Sequence, residues 1–175
     1  MRFQIHTART LIREWQPTDW QPFRTIAADP QVMRYIADGS PWSDEQIQGF
    51  IARQRESAQE HGFCFGPLLD AASNVLIGQA GLQYLGTTGE VEIGWWLAPH
   101  CWGRGLGTEA AHAIRRFAFD DARLPRIVAI AHPQNLASIR IMQKIGMMFR
   151  GLVLRSKLGL SGKDMEIVLY SAERG

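Results

Sequence analysis

Trp95-Trp-Leu-Ala-Pro-His-Cys-Trp-Gly-Arg-Gly-Leu-Gly-Thr-Glu-Ala-Ala111 is the stretch on which the fold turns. It leaves a segment rich in β-branched and aromatic residues, passes through Gly103, Gly105 and Gly107, and runs into a strongly helical sequence. Glycines at alternate positions let the backbone bend tightly and bring its N–H groups close to a ligand. The first turn of the following helix adds unpaired N–H donors and about half a positive charge. Together Gly103, Arg104, Gly105, Leu106, Gly107 and Thr108 make an anion site suited to a diphosphate. Arg104 adds a charge-assisted contact and Thr108 a hydroxyl donor. Other phosphate loops fit worse. A dinucleotide fingerprint needs glycine where Thr108 stands, and no Gly-Lys-Ser or Gly-Lys-Thr occurs anywhere in the chain. A plain strand-to-helix turn that uses glycine only for its geometry explains the same residues locally.

Working outward, residues 10–15 alternate apolar and polar side chains, which predicts a first strand. Thr18 or Asp19 is a candidate cap for a helix through about Ala28, and Pro30 opens a short helical piece ending near Ile36. Ser43 with Gln46 has capping-box spacing, Ile47, Phe50 and Ile51 follow at helical intervals, and Gly62 supplies a stop. Strands are expected at Phe63–Leu69, Val75–Leu85 and Glu90–Leu97, joined by turns short enough for an antiparallel meander. A helix near Gly105–Ala122, a strand at Arg126–Ala131, a helix at Asn135–Ile145 and strands at Met147–Leu158 and Asp164–Ser171 complete the chain. The pattern predicts an α/β fold with a mixed, mostly antiparallel sheet flanked by helices. With 175 residues and no repeat or linker, a single domain spanning 1–175 is expected.

Composition narrows the function. Apolar residues at 46% against 21% charged suit a globular chain rather than a disordered one. A net charge of +2 argues against direct nucleic-acid binding, which needs clustered Lys and Arg. No apolar run approaches a bilayer span, and the first residues lack the apolar stretch of a signal peptide. Cys64 and Cys101 form no Cys-x-x-Cys pair, so the expected location is a reducing cytoplasm. No metal is expected, because His100, His112 and His132 lack ligand spacing. His100 is taken as a loop residue, and no Cys-His arrangement makes Cys101 a nucleophile.

Three linked stretches carry a resemblance: Glu92-Ile-Gly-Trp-Trp-Leu-Ala-Pro, Trp102-Gly-Arg-Gly-Leu-Gly-Thr-Glu-Ala, and Asn135-Leu-Ala-Ser-Ile-Arg-Ile-Met-Gln-Lys-Ile-Gly-Met. In order and spacing, from about Thr7 to Tyr170, the chain resembles the GNAT superfamily of acetyl-coenzyme A-dependent N-acetyltransferases. Its likeness is greatest to the branch of ribosomal-protein alanine acetyltransferases. The resemblance implies a splayed strand pair and acetyl-CoA as acetyl donor, with its pyrophosphate on the Gly103–Thr108 backbone. It also implies a pantetheine arm along the free backbone of Trp95, Trp96 and Leu97, and a cofactor contact at Asn135. Trp102 replaces the Gln or Arg that opens the glycine motif in many members, as is usual in this branch. Met142 stands where many members have a tyrosine acting as general acid. The oligomeric state is not readable from the residues, although dimers are common among proteins resembling this one, which leaves a homodimer open.

Acetyl transfer to an amine needs a neutral amine, a polarised thioester carbonyl and a stabilised thiolate. Period-2 alternation puts Glu90, Glu92, Gly94 and Trp96 on one strand face. Glu92, mid-strand, reads either as a general base or as a solvated or ion-paired face residue, and the resemblance favours the base. Glu90, nearer the turn, is expected to be exposed. Asn135 suits a helix N-cap. The resemblance makes Ser138 the candidate to hydrogen-bond the departing sulfur, although a plain helical serine fits equally. Lys144 could reach a 3′-phosphate, but a solvated surface lysine is the simpler expectation.

The acceptor pocket is expected from the two early helices, the Ile36–Ser43 loop with Trp42 as its wall, and the 158–164 hairpin. Seven acidic residues between Asp19 and Glu60 are largely balanced by Arg24, Arg34, Arg53 and Arg55. The acceptor is therefore left open among a protein N-terminus and small-molecule amines such as a polyamine, an amino acid or an aminoglycoside. Two other functions compete: a non-catalytic acyl-CoA-binding regulatory module, and an RNA- or ribosome-associated protein, against which the weak net charge speaks.

Overall fold

The computed structural model describes residues 3–175. Eight strands form one sheet in the order β1-β2-β3-β4-β5-β6-β8-β7. In chain order they are β1 (Gln4–His6), β2 (Thr10–Arg13), β3 (Phe65–Asp70), β4 (Leu76–Tyr84), β5 (Val91–Leu97), β6 (Arg126–Ala131), β7 (Met148–Leu154) and β8 (Glu166–Glu173). The helices are α1 (Trp20–Ala27), α2 (Pro30–Met33), α3 (Asp44–His61), α4 (Leu106–Arg116) and α5 (Leu136–Lys144). Every neighbouring pair is antiparallel except β5 and β6. Those two run parallel and are joined at one residue pair, Glu92 with Val128. Beyond that point, no strand pairing closes β5 onto β6 among the described residues. This is the splayed pair.

Alternation along β5 decides which side chains serve which face. Val91, Ile93, Trp95 and Leu97 join the larger apolar cluster with Ala110, Ala111 and Ile114 of α4. Trp96 joins the second cluster, with Phe23 of α1 and Phe50 of α3. Helices therefore cover both faces, and Glu92 shares the α1/α3 face with Trp96.

The helix ends follow local chemistry. Ser43 accepts from the Gln46 N–H while the Gln46 side chain accepts from the Ser43 N–H, and Gly62 takes a left-handed conformation to stop α3. Asp19, expected as a helix cap, does something else. Its buried carboxylate accepts from the Gln16 N–H and from both terminal nitrogens of Arg13, at 2.7–2.9 Å. A single turn, Pro17–Asp19, then leads into α1.

Three other expectations are corrected. The first strand at 10–15 is β2, and the three-residue β1 pairs beside it as the edge. The helix expected to continue to Ala122 is α-helical only to Arg116, then widens into a π turn over Phe117–Asp121. That wider turn sets Phe117 edge-on to Phe3, with centroids 5.3 Å apart, and buries Ala118 and Phe119. The strand expected over Met147–Leu158 stops at Leu154, where residues Arg155–Leu158 turn into a 3-10 helix. The strand order adds what the sequence did not address: β8, last in the chain, inserts between β6 and β7. The turned segment is pinned by close approach: a Cβ on Gly86 would lie 1.9 Å from the Leu158 carbonyl oxygen. That contact holds Arg155 beside the splay.

Candidate active site

The glycine loop sits where β5 meets α4. Gly103 and Gly105 adopt φ of +70° and +75°, a region that disfavours side chains, and Gly105 caps α4. The first intrahelical bond reaching back to the cap is Glu109 N–H to the Gly105 carbonyl, so the amides of Leu106, Gly107 and Thr108 precede the helical ladder. A Cβ on Gly103 would meet nothing within 4 Å, so the loop's outer face is open. Gly107 is close-packed instead, its absent Cβ 3.1 Å from Ile141 of α5 and 3.5 Å from Leu97.

Arg9, which no sequence motif marks, braces this loop from the β1–β2 turn. Its guanidinium donates to the Arg104 carbonyl at 3.0 Å and to the Glu109 carboxylate, which also accepts from the Arg9 N–H. Burial pulls the Glu109 carboxyl up, but hydrogen bonds from Thr7 and Arg9 outweigh it and hold it below its usual range. The partner lies 100 residues away in sequence, so no local pattern announces it.

The backbone of β5 divides its groups between two sides. Ala98 N–H donates to Ile77 beside β4, so by alternation Trp96 and Gly94 also turn their amides towards β4. Trp95 and Leu97 turn theirs to the splay, where the Leu97 carbonyl accepts from the indole N–H of Trp102 at 2.8 Å. Of the three residues expected to offer free backbone, Trp96 is thus committed to the sheet. Its ring instead stands in the other half of the site, edge-on to Trp42 at 4.9 Å. The Trp95 indole nitrogen is a buried donor without a partner among the described residues.

Between the splayed strands lies a cavity of about 510 Å³ that reaches both faces of the sheet. Glu92, Trp95, Trp96, Asn135 and Ser138 all line it, whereas Leu97 and Gly103–Thr108 lie outside its wall. Trp42, the Ile36–Gly39 loop, Leu160 and Lys163 enclose the end expected to take the acceptor. Asn135 caps α5 by accepting from the Ser138 N–H at 3.2 Å. Met142 is buried in the core and also touches the cavity. His132 stacks on Tyr35 at 5.1 Å, and its Nδ1 accepts from the Gln134 N–H.

Glu92 ends a chain of oriented amides. Phe65 N–H donates to Gln54 Oε1 at 2.7 Å, Gln54 Nε2 donates to Gln83 Oε1 at 3.0 Å, and Gln83 Nε2 donates to Glu92 Oε2 at 3.0 Å. The backbone donor sets the direction of every later bond. Burial pushes the Glu92 carboxyl from its ordinary 4.5 to about 7, against smaller opposing effects of the Gln83 bond and the Arg155 charge. Such a carboxyl is near half-ionised at neutral pH. Glu90 differs: it is half-exposed and paired with Arg126 at 3.0 Å. Burial also pushes the Cys101 thiol up, which leaves it a poor nucleophile. Gln54 did carry a sequence signal, because it sits at the helical spacing of Ile47, Phe50 and Ile51, where an apolar residue belongs.

A splayed parallel pair beside a glycine-capped helix N-terminus defines a class of acyl-transfer protein. A family profile described as Acetyltransferase (GNAT) domain matches residues 9–148, and the chain belongs to that family. It is 34% identical over 148 residues to the uncharacterized N-acetyltransferase YnaD of Bacillus subtilis (strain 168), covering 84% of each chain. It superposes on the GNAT-family acetyltransferase of Bacillus anthracis with a TM-score of 0.81 at 26% identity, covering 98% of both chains. The ribosomal-protein-S5-alanine acetyltransferase of Vibrio fischeri gives a TM-score of 0.78 over 98% of this chain and 96% of that one. At 15% identity, that likeness concerns the fold alone.

GNAT acetyltransferases use acetyl-CoA, and the residues present suit it: an open amide loop for the diphosphate, unpaired backbone at Trp95 and a buried unpartnered indole N–H. Among the described residues, no cluster of His, Cys, Asp and Glu could hold a metal, and no helix is long and apolar enough to cross a membrane.

Proposed function

We propose that this acetyltransferase moves an acetyl group directly to a primary amine, either a small molecule or a protein N-terminus, with Glu92 as general base. The observation that carries the proposal is the placing of Glu92. It is a buried carboxyl at the root of the splay, pushed to about 7 and held by one oxygen from a chain of oriented amides. A base whose pKa lies near the working pH balances ionisation against proton affinity. When bound, acetyl-CoA supplies the thioester acetyl group. Gly103–Thr108 bind its diphosphate and the Trp95 amides orient its arm, so the protein acts mainly by alignment. Glu92 takes the proton of the incoming ammonium, directly or through water. Ser138, whose residue lines the same cavity, offers its hydroxyl to the departing sulfur. Position 142, one turn along the same helix, carries methionine and offers no hydroxyl for that task.

The test is a panel of amines scored by free thiol release from acetyl-CoA. A general base typically contributes ~10²–10⁴ in rate, so Glu92→Gln should lose that factor, keep its acetyl-CoA affinity and recover partly at high pH. Binding of acetyl-CoA with no thiol release for any amine would replace this proposal with a non-catalytic acyl-CoA-binding module.

A further inference from the structure

The acceptor half of the cavity has a charge that the linear sequence conceals. Arg34, Arg53, Arg155 and Lys163 line it, and only Asp38 and Glu92 supply carboxyls to the same wall. None of the four cations is within 4 Å of a carboxylate among the described residues. The nearby acids are engaged elsewhere. Asp38 accepts from the Ser40 N–H, and Asp164 accepts from the N–H and hydroxyl of Ser156; the Arg155 charge adds only a smaller, longer-range hold on Asp164, with no ion pair within 4 Å among the described residues. The carboxylates that balanced Arg24 and the other early arginines in sequence thus face away from this cavity or pair outside it, as Asp44 does with Arg24.

Arg155 is the most telling of the four. It sits on the 3-10 turn that follows β7, held by one bond from its guanidinium to the Ser161 carbonyl at 3.0 Å. It lines the cavity with no carboxylate within 4 Å among the described residues, so its guanidinium keeps donors to offer. The coenzyme diphosphate does not answer for these cations, because Gly103–Thr108 lie outside this cavity wall.

We infer that the amine acceptor carries an oxyanion, a carboxylate or a phosphate, which the Arg155 guanidinium and the Lys163 ammonium hold while the amine faces Glu92. This rests on the acetyltransferase proposal above and narrows its acceptor. A planar guanidinium fork binds either oxyanion through paired N–H donors. Trp42, Trp96 and Phe50 supply an apolar wall for the body of the molecule, and a cavity of this volume suits a small molecule. Polycationic amines are disfavoured by the same four charges.

Charge-matched pairs test the inference: phenylalanine against phenylalaninamide, and phosphoethanolamine against ethanolamine, with spermidine as the cationic control. kcat/KM is read by thiol release at saturating acetyl-CoA for the wild type, Arg155→Gln and Lys163→Gln. The amide's ammonium is the more acidic, which favours it intrinsically, so a preference for the acid reports binding. A charge-assisted contact predicts that at least one anionic member exceeds its neutral partner by roughly tenfold to a hundredfold. The pair that responds tells carboxylate from phosphate. The ratio should shrink severalfold in the variants, and Lys163, which is exposed, is a substitution the fold tolerates. Preference for the neutral partners or spermidine, or a ratio unmoved in both variants, overturns the inference alone. Should no amine release thiol, the acetyltransferase proposal is what has failed. Tryptophan-fluorescence titration with the same pairs then decides the charge question, and binding of acid no tighter than amide overturns it.

Discussion

The raised Glu92 carboxyl has a thermodynamic consequence that can be measured without knowing the substrate. Its pKa moves from 4.5 towards about 7 on folding, because burial penalises the ionised form. Between those values the folded chain binds more protons than the unfolded one. Stability must therefore fall as pH rises through that window, and the loss is complete above it. At ~1.4 kcal/mol per pKa unit, the cost at pH 8 is about 3 kcal/mol. Glu92→Gln removes the titration and keeps an acceptor for the Gln83 amide, so it isolates this one group. From this titration the variant should gain about 1 kcal/mol over the wild type at pH 5 and about 3 kcal/mol at pH 8, so that its advantage grows by several degrees in Tm across the window. Urea unfolding followed by tryptophan fluorescence at pH 5, 6, 7 and 8 measures both curves. All other groups titrate alike in the two proteins, so only their difference matters. Parallel curves across the window would show that Glu92 is not perturbed, and the case for it as a base poised near neutrality would fall with it.

Gly105→Glu sets a carboxylate at the anion loop and forces a side chain into a left-handed conformation disfavoured by ~1–2 kcal/mol. It should weaken acetyl-CoA binding by at least roughly tenfold in calorimetry, since like charge opposes the diphosphate; unchanged affinity would refute the diphosphate assignment. Ser138→Ala should lower kcat severalfold while sparing both acetyl-CoA affinity and stability, because alanine favours the helix. Full turnover would leave Ser138 as a helix residue only. Gly94→Ala places a Cβ 2.6 Å from the Phe65 ring, which is buried and whose N–H is tied to Gln54. It should cost about 1–3 kcal/mol in urea unfolding, as overpacking does; an unmoved midpoint would mean that the ring shifts freely.

What the sequence by itself determined is local. The Ser43–Gln46 box, the Gly62 stop, the strand Arg126–Ala131 and the glycine entry to α4 each depend on residues within a few positions of one another, so their periods and caps are legible in the string. Alternation along β5 likewise separates Trp95 from Trp96 correctly, because a strand fixes side-chain direction without knowing its neighbours. Tertiary structure alone decided the rest. The insertion of β8 between β6 and β7, and the single Glu92–Val128 contact from which the sheet splays, are choices among strand pairings that any alternating strand satisfies. The Gln54–Gln83–Glu92 chain, the Arg9 brace and the four cavity cations, which outnumber the carboxyls beside them, join residues from separate elements. Their energies depend on burial and on distance in space. Separation along the chain specifies neither, which is why the charges that cancel in the sequence do not cancel in the cavity.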